Sequence, residues 1–402
     1  MDAIVVGGGL AGATTALALH RIGADVSVHE AAGPAEGLGA WLTLAANGLD
    51  ALAPLGLTEE VGAAGFATPR MTMRTAAGRE LVAFDSSAPR PDGLQATSTR
   101  RADLYAVLHG ALARSGVPVH HGRRLRDAEH LPGGRVRAHF GDGTTAEGDL
   151  LVGADGLRSR TRTIVDPAAP AARYTGLLNV GGYARNTDLG RPPGVMDFWF
   201  GRRCFLGTVA SPDGDVWWFA NPPSAQEPTR AELAADDPEA WRPRLRELFA
   251  GDDLPVEALL AASDRLFAGW PTHDLPRVPT WHRDGVVLVG DAVHAASPAS
   301  GQGAAMAFED AVTLARCLRD RATLTEACTA YETLRRRRVQ AVVRRGKRTG
   351  DAKAPGPVGR WARDRVAMPL FARHLARTAR RGATPDDWLT GHHVDWDEPV
   401  RA

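Results

Sequence analysis

Three stretches of the chain share one hydrophobic pattern, in which a short apolar run breaks into a glycine or carboxylate turn. In the first, residues 3–6 (AIVV) predict a buried parallel strand, because the run is short and rich in β-branched residues. The ATTALALHRIG stretch beyond has helical spacing and stops at Gly23, a residue suited to the position after a helix. A second strand is predicted over Asp25–His29 and ends at Glu30. In the second stretch, residues 150–153 (LLVG) run into Ala154-Asp155-Gly156, with Ser159 and Arg162 following. In the third, residues 286–290 (VVLVG) end at Asp291, and Pro298, Gly301-Gln302-Gly303 and a helical run come next.

The segments between differ in period. Leu104, Leu108 and Leu112 make a helical stripe behind Arg100-Arg101. Arginine at a helix start opposes the helix dipole, so a phosphate partner or a solvated side chain is expected there. Residues 135–140 alternate and meet the turn Gly141-Asp142-Gly143, as in a small β-meander. Residues 174–270 are rich in aromatic and β-forming residues with turns such as Pro212-Asp213-Gly214, which predicts an antiparallel sheet. Residues 236–249 are expected to form a helix covering that sheet. Trp199, Phe205, Trp217, Trp218 and Phe219 are candidates for a pocket wall, with Trp199, Phe205 and Trp218 carried forward together with Pro298.

The glycines of the first turn carry the clearest chemistry. Gly7-Gly8-Gly9-Leu10-Ala11-Gly12 is GxGxxG between a strand and a helix, with an acid at the end of the next strand. Gly7 permits the tight turn, Gly9 admits a pyrophosphate, and Gly12 allows close helix packing. Open N–H groups at the helix start favour the phosphate charge, and Glu30 suits a ribose diol. A dinucleotide is expected, either FAD or NAD. Asp155 and Asp291 are carboxylates delivered to the carboxyl edge of a parallel sheet, where such proteins bind ligands.

Composition narrows the rest. At 402 residues, 44% apolar and 24% charged, the chain reads as globular with more than one domain. A formal net charge of +1 offers no electrostatic case for nucleic acid. Cys204, Cys317 and Cys328 have no metal spacing, so no metal site is expected. The apolar N-terminus lacks a basic segment, and no stretch approaches a membrane span, so a cytoplasmic protein without stable membrane insertion is expected. Residues 335–381 are strongly basic, and the reading is helices packed on the first domain with arginines in solvent, separated at Pro355-Gly356-Pro357.

Taken together, the three motifs resemble the single-component FAD-dependent monooxygenases of the para-hydroxybenzoate hydroxylase and salicylate hydroxylase type. Gly7, Gly9, Gly12 and Glu30 match the first motif of that family; Asp155, Gly156, Ser159 and Arg162 match the second. Gly290, Asp291, His294, Pro298, Gly301, Gln302, Gly303, Glu309, Asp310 and Ala311 match the third. The resemblance implies an α/β fold: a doubly wound FAD-binding domain (residues 1–69, 99–170 and 271–335), an inserted antiparallel β-sheet substrate domain (70–98 and 171–270) and C-terminal helices with a tail (336–402). It implies that Glu30 holds the adenosine ribose, Arg101 the pyrophosphate region and Asp291 a nearby hydroxyl. Leu125 would meet the adenine through its backbone, Asp155 would lie where FAD and the nicotinamide cofactor meet, and Ala11, Pro298, Gly301, Gly303 and Ala304 would line the cofactor. Ala305 and Ala31 depart from the pattern, which has asparagine and arginine there.

The activity implied is reduction of FAD by NADH or NADPH, reaction of the flavin with O2, and transfer of one oxygen atom to a small or medium hydrophobic substrate, aromatic or polycyclic. The flavin itself carries the chemistry. His294 is the one candidate base, with a structural role at the turn preferred. The alternatives are a cyclase or scaffold of the same fold acting without net oxygenation, and a flavin halogenase, whose WxWxIP segment is absent. Oligomeric state is left open.

Overall fold

The computed structural model describes all residues except 35–39, 88–89, 91, 354–355, 380–386 and 402. The separator at residues 355–357 therefore begins outside the described residues. The three apolar runs become neighbours in one six-stranded sheet. Its order is His282–Arg283, Val286–Leu288, Leu150–Gly153, Asp2–Val6, Asp25–His29, Val119–His120. All neighbours are parallel except the His282–Arg283 edge. Val5 pairs with Val152 on one side and Val28 on the other, so both flanking strands end level with the first glycine turn. Val5, Val28, Val152, Val287 and Leu288 are fully buried, as strands covered on both faces require. The Leu10–Arg21 and Gly303–Asp320 helices pack over this sheet. Thr145–Gly148, Val136–Phe140 and Leu125–His130 form the meander.

A seven-stranded sheet takes its strands from residues 70–85 and 173–274, and it is antiparallel except where Val195–Phe200 lies parallel to Arg70–Thr75. Both of its faces are apolar. The outer face holds Leu178, Val180, Leu206 and Leu266, covered by Trp241, Leu245, Leu259 and Leu260. The inner face holds Met71, Met196, Phe198, Val209 and Trp217 and packs on Trp41 and Phe66 of the strands Trp41–Leu44 and Gly65–Ala67. The covering helix expected over residues 236–249 is broken. Pro238–Ala240 is a 3-10 turn and Trp241–Leu248 a separate helix. Pro238 holds Asp237 extended, at φ −85° and ψ 116°, and the Asp237 carboxylate accepts from Glu239 N at 2.9 Å.

The basic segment also differs from expectation. Leu324–Asp351 is one helix of 28 residues, and its Arg335 is buried against the Gly303–Asp320 helix rather than solvated. Arg335 Nε donates to Asp310 at 2.7 Å, and its Nη1 donates to Glu309. Arg338 donates to both Glu309 oxygens at 2.8 Å. Arginine-rich sequence here supplies a buried ion cluster as well as a solvated face.

His29, on the Asp25–His29 strand, is buried between Phe140 and His120. Burial first, then His120 and Arg123, pushes its pKa down from 6.5 to about 4. The folded protein thus keeps His29 neutral while the unfolded chain protonates below 6.5, so stability is present above 6.5 and lost as pH falls toward 4. A denaturation midpoint measured across that window should decline, with up to about 3 kcal/mol from this residue. The decline should shrink in His29→Phe; an unchanged slope would remove His29 as its source.

Candidate active site

The glycine turn is tight for stated reasons. Gly7 has φ +102°, and a Cβ there would lie 2.4 Å from Ala154 O. A Cβ on Gly12 would lie 1.8 Å from Gly7 O, so the helix can approach the strand only without one. Gly9 is different: a Cβ there meets nothing within 4 Å. The residue faces an open cleft, and no side chain caps the first turn of the Leu10–Arg21 helix that it precedes. Glu30 closes the turn by accepting from Gly8 N at 2.6 Å and Ala32 N at 2.7 Å. His109 Nε2 donates to Gly8 O at 2.7 Å.

The other two strand ends meet this turn. Gly7 abuts Ala154 and Asp155. A Cβ on Gly290, which has φ +60°, would lie 2.8 Å from Ala11 Cβ. Arg162 ties the second loop to the third by donating to Leu157 O and Ala292 O, both at 2.9 Å. Asp155 spends both carboxylate oxygens on its own loop, accepting from Ser159 Oγ at 2.5 Å, Thr161 N at 2.9 Å and Thr161 Oγ1 at 3.0 Å. Asp291, by contrast, is exposed in the cleft and has no hydrogen-bond or ion-pair partner among the described residues. Arg101 is near enough to act on it electrostatically, and is also exposed.

Past Asp291, the chain turns at Pro298–Ser300 and enters the Gly303–Asp320 helix. Pro298, Gly301 and Gly303 are exposed, Ala304 is half-buried, and a Cβ on Gly301 or Gly303 would meet nothing within 4 Å. No side chain caps this helix either. Two uncapped helix starts, two open glycine cradles and a free carboxylate therefore face one cleft. That donor set suits a long anionic cofactor with hydroxyl groups, as FAD is. Leu125 is buried at the start of its strand, beside Phe140. Ala305, where the resembling family has asparagine, is pressed on Gly48, whose Cβ would be 2.9 Å away. The helix Ala46–Ala51 leaves no room for a larger side chain there.

His294 does not face the cleft. It is buried, and its Nε2 hydrogen-bonds Asp310, which also accepts from Gly290 N at 2.9 Å. Burial works against the Asp310 charge, but His294 and Arg335 outweigh it and hold its carboxyl at about 2. Asp310 is thus an anchor that fixes the Gly290 turn and the His294 ring.

The inner face of the seven-stranded sheet packs on Trp41, whose strand pairs with Arg100 and whose neighbour Ala40 accepts from Arg101 N at 3.1 Å. Trp41 stands edge-on to Phe219 with centroids 5.7 Å apart and tilts against Trp217 at 6.0 Å. Phe205 lies 6.0 Å from Phe219 on the same face. Trp199 and Trp218, expected in the pocket wall, point the other way. Trp199 sits under the Arg74 guanidinium on the outer face, and Trp218 Nε1 donates to Ser263 Oγ at 2.9 Å. Alternation along Val216–Asn221 puts Trp217 and Phe219 inward and Trp218 outward. Arg100 was missed as a pocket residue. Its guanidinium lies over Tyr183 at 5.2 Å and Trp217 at 5.5 Å, while its neighbour Arg101 is exposed beside the cleft. The Trp41 Nε1 and Arg100 Nε atoms are buried without a hydrogen-bond partner among the described residues.

Known proteins agree with this geometry. The chain is 30% identical over 384 residues to the aurachin C monooxygenase/isomerase of Stigmatella aurantiaca, covering 95% of this chain and 97% of that protein. It is 32% identical over 357 residues to an FAD-dependent urate hydroxylase of Klebsiella pneumoniae, covering 87% and 90%. The structure superposes on Klebsiella pneumoniae HpxO complexed with FAD and uric acid at a TM-score of 0.80, with 27% identity and 93% of each chain covered. The FAD binding domain family matches residues 1–346. The chain belongs to that family, and it is an FAD-dependent monooxygenase.

Proposed function

We propose that the enzyme takes electrons from NADH or NADPH and inserts one oxygen atom of O2 into a small or medium hydrophobic substrate, hydroxylating or epoxidising an aromatic or polycyclic ring. The observation that carries this reading is the aromatic inner face of the sheet, packed on Trp41, next to the Ala40 carbonyl that accepts from Arg101 N. Relatives named for urate and for 3-amino-4-hydroxybenzoate support a flat, ring-shaped substrate. FAD, when bound, supplies the electron storage and oxygen activation.

The chain's own residues do the rest. Gly9, Glu30, Arg101 and Asp291 would hold the nucleotide and its hydroxyls; Pro298, Gly301, Gly303 and Ala304 would line the ring. Trp41, Phe205 and Phe219 would orient the substrate and keep water out. Residues 70–98 and 171–270 would furnish the substrate side, with 336–402 closing over it.

A screen of phenols and hydroxylated heteroaromatics should find compounds that stimulate NAD(P)H oxidation at least ~10-fold, with matching O2 uptake and a product heavier by one oxygen atom. A scaffold or cyclase predicts turnover without either consumption, and that result would replace this reading.

A further inference from the structure

We propose that Lys353 takes the proton from an acidic hydroxyl of the substrate, so that the enzyme binds a phenol-like or enol-like molecule as its anion. The inference rests on the ring-oxygenating function above and specifies its substrate class. Of 48 basic residues in the chain, two are lysines, Lys347 and Lys353. Lys347 is exposed and paired with Asp351 at 2.6 Å. Lys353 is 8% exposed, just beyond the end of the Leu324–Asp351 helix.

Its position joins the two halves of the site. Gly346 and Gly350 of that helix rest on the Pro298 turn: a Cβ on Gly346 would be 3.0 Å from Ser300 Cβ, and one on Gly350 would be 3.4 Å from Ser297 Oγ. From there Lys353 reaches the inner aromatic face. Its Nζ lies 4.4 Å above the Phe205 ring and 5.3 Å from that of Phe219, and donates to Asn221 Oδ1 at 2.6 Å. Asn221 pairs with Phe205 across the strands, so both share that face. Lys353 thus stands between the turn expected beside the flavin and the rings expected beside the substrate.

No carboxylate forms an ion pair with Lys353 among the described residues. The charged and titratable groups around it are few. Cys204 is a buried thiol whose pKa burial pushes up, so it is neutral. Asp351 is engaged by Lys347, and Arg363 lies over Phe200 at 4.7 Å with Nη1 and Nη2 buried and unbonded among the described residues. An ammonium buried without a counter-ion is disfavoured, and burial lowers the Lys353 pKa from 10.5 to about 7. The amine is therefore available as a base near neutrality, which an arginine would not be. In the step, the substrate O–H bond breaks and an N–H bond forms at Nζ. The electron pair stays on oxygen and enriches the ring, and the new ammonium pairs with the anion. Phe205 and Phe219 then hold an ammonium above their faces, a favourable placement for a cation.

The test uses the FAD-loaded enzyme, and its first two readouts do not need turnover. In protein carrying 15N-labelled lysine, NMR should show a Lys353 Nζ signal, identified by its absence from Lys353→Met, titrating near 7. With 4-nitrophenol as probe, about one pH unit below its own midpoint, difference absorbance should show phenolate forming on the wild type. Lys353→Met should reduce that signal at least ~10-fold while retaining FAD. In steady state, the acid limb of kcat/KM near pH 7 should vanish in the same variant. A Lys353 midpoint above 9, no phenolate on the wild type, or equal phenolate on both proteins would overturn the proposal. Failure of the function above would show separately, as absent O2 uptake with every substrate.

Discussion

Gly9→Val should yield a folded, colourless protein. The residue sits at φ −70°, which valine adopts freely, and a Cβ there contacts nothing. The added side chain would project into the cleft where the pyrophosphate approaches the uncapped helix start. FAD affinity should fall by at least about 100-fold, ~2.7 kcal/mol, with the thermal midpoint of the flavin-free protein unchanged. Gly12→Val provides the contrast. Its Cβ would collide with Gly7 O at 1.8 Å, so helix and strand must separate, and little folded protein should be recovered. Flavin titration by fluorescence quenching and thermal unfolding, read together, distinguish the two. If Gly9→Val bound FAD normally, the turn would not be the nucleotide site.

The second large effect lies away from the cleft. Glu309 is fully buried and accepts from Arg335, Arg338 and Asn47 Nδ2. Burial opposes its charge, yet Arg335 and Arg338 hold its carboxyl below the usual range. Glu309→Ala leaves the buried Arg335 with Asp310 as its one carboxylate among the described residues, and leaves Arg338 only the carbonyl acceptors Trp388 O and Leu389 O. The cost of removing one partner from such a cluster is about 3–5 kcal/mol, or ~4–6 °C in Tm for a chain of this length. Because Asn47 Nδ2 also reaches Gln302 Oε1 at 3.0 Å, the Gly301–Gly303 turn should loosen too, weakening FAD retention. Glu309→Gln keeps one acceptor oxygen, puts a donor amide in place of the other and removes the charge, and should fall between. A Tm change below about 1 °C for Glu309→Ala would mean that these arginines find water instead.

Much of this arrangement was legible in the chain because its signals are backbone requirements. A glycine that must accept a positive φ, or whose Cβ would lie 1.8 Å from a carbonyl oxygen, is visible as a glycine, and three strands ending in such turns predict a shared edge. Which aromatic side chains face the pocket was not legible. Both faces of the seven-stranded sheet are covered, so Trp217-Trp218-Phe219 is apolar at every position and alternation has no polar phase to fix it. For that reason the pocket-wall candidates included Trp199 and Trp218, which lie on the outer face. The burial of Arg335 was hidden because its partners, Glu309 and Asp310, lie on a helix of their own, distant in sequence. Arg100 and Arg101 are adjacent yet serve different neighbours, and only the register of Thr97–Arg100 against Trp41–Leu44 separates them. For Lys353 the chain does hold a signal, a rare lysine in an arginine-biased sequence, but nothing local ties it to the sheet.

The convergence of three loops on one flavin is tested most directly by the absorption spectrum and FAD stoichiometry of the purified chain. A yellow protein binding about one FAD per chain is expected. Addition of NADH or NADPH with a phenolic substrate should bleach the flavin, and air should restore it. A chain that stays colourless, and leaves the fluorescence of added FAD unchanged at micromolar concentration, would contradict the assignment at its root.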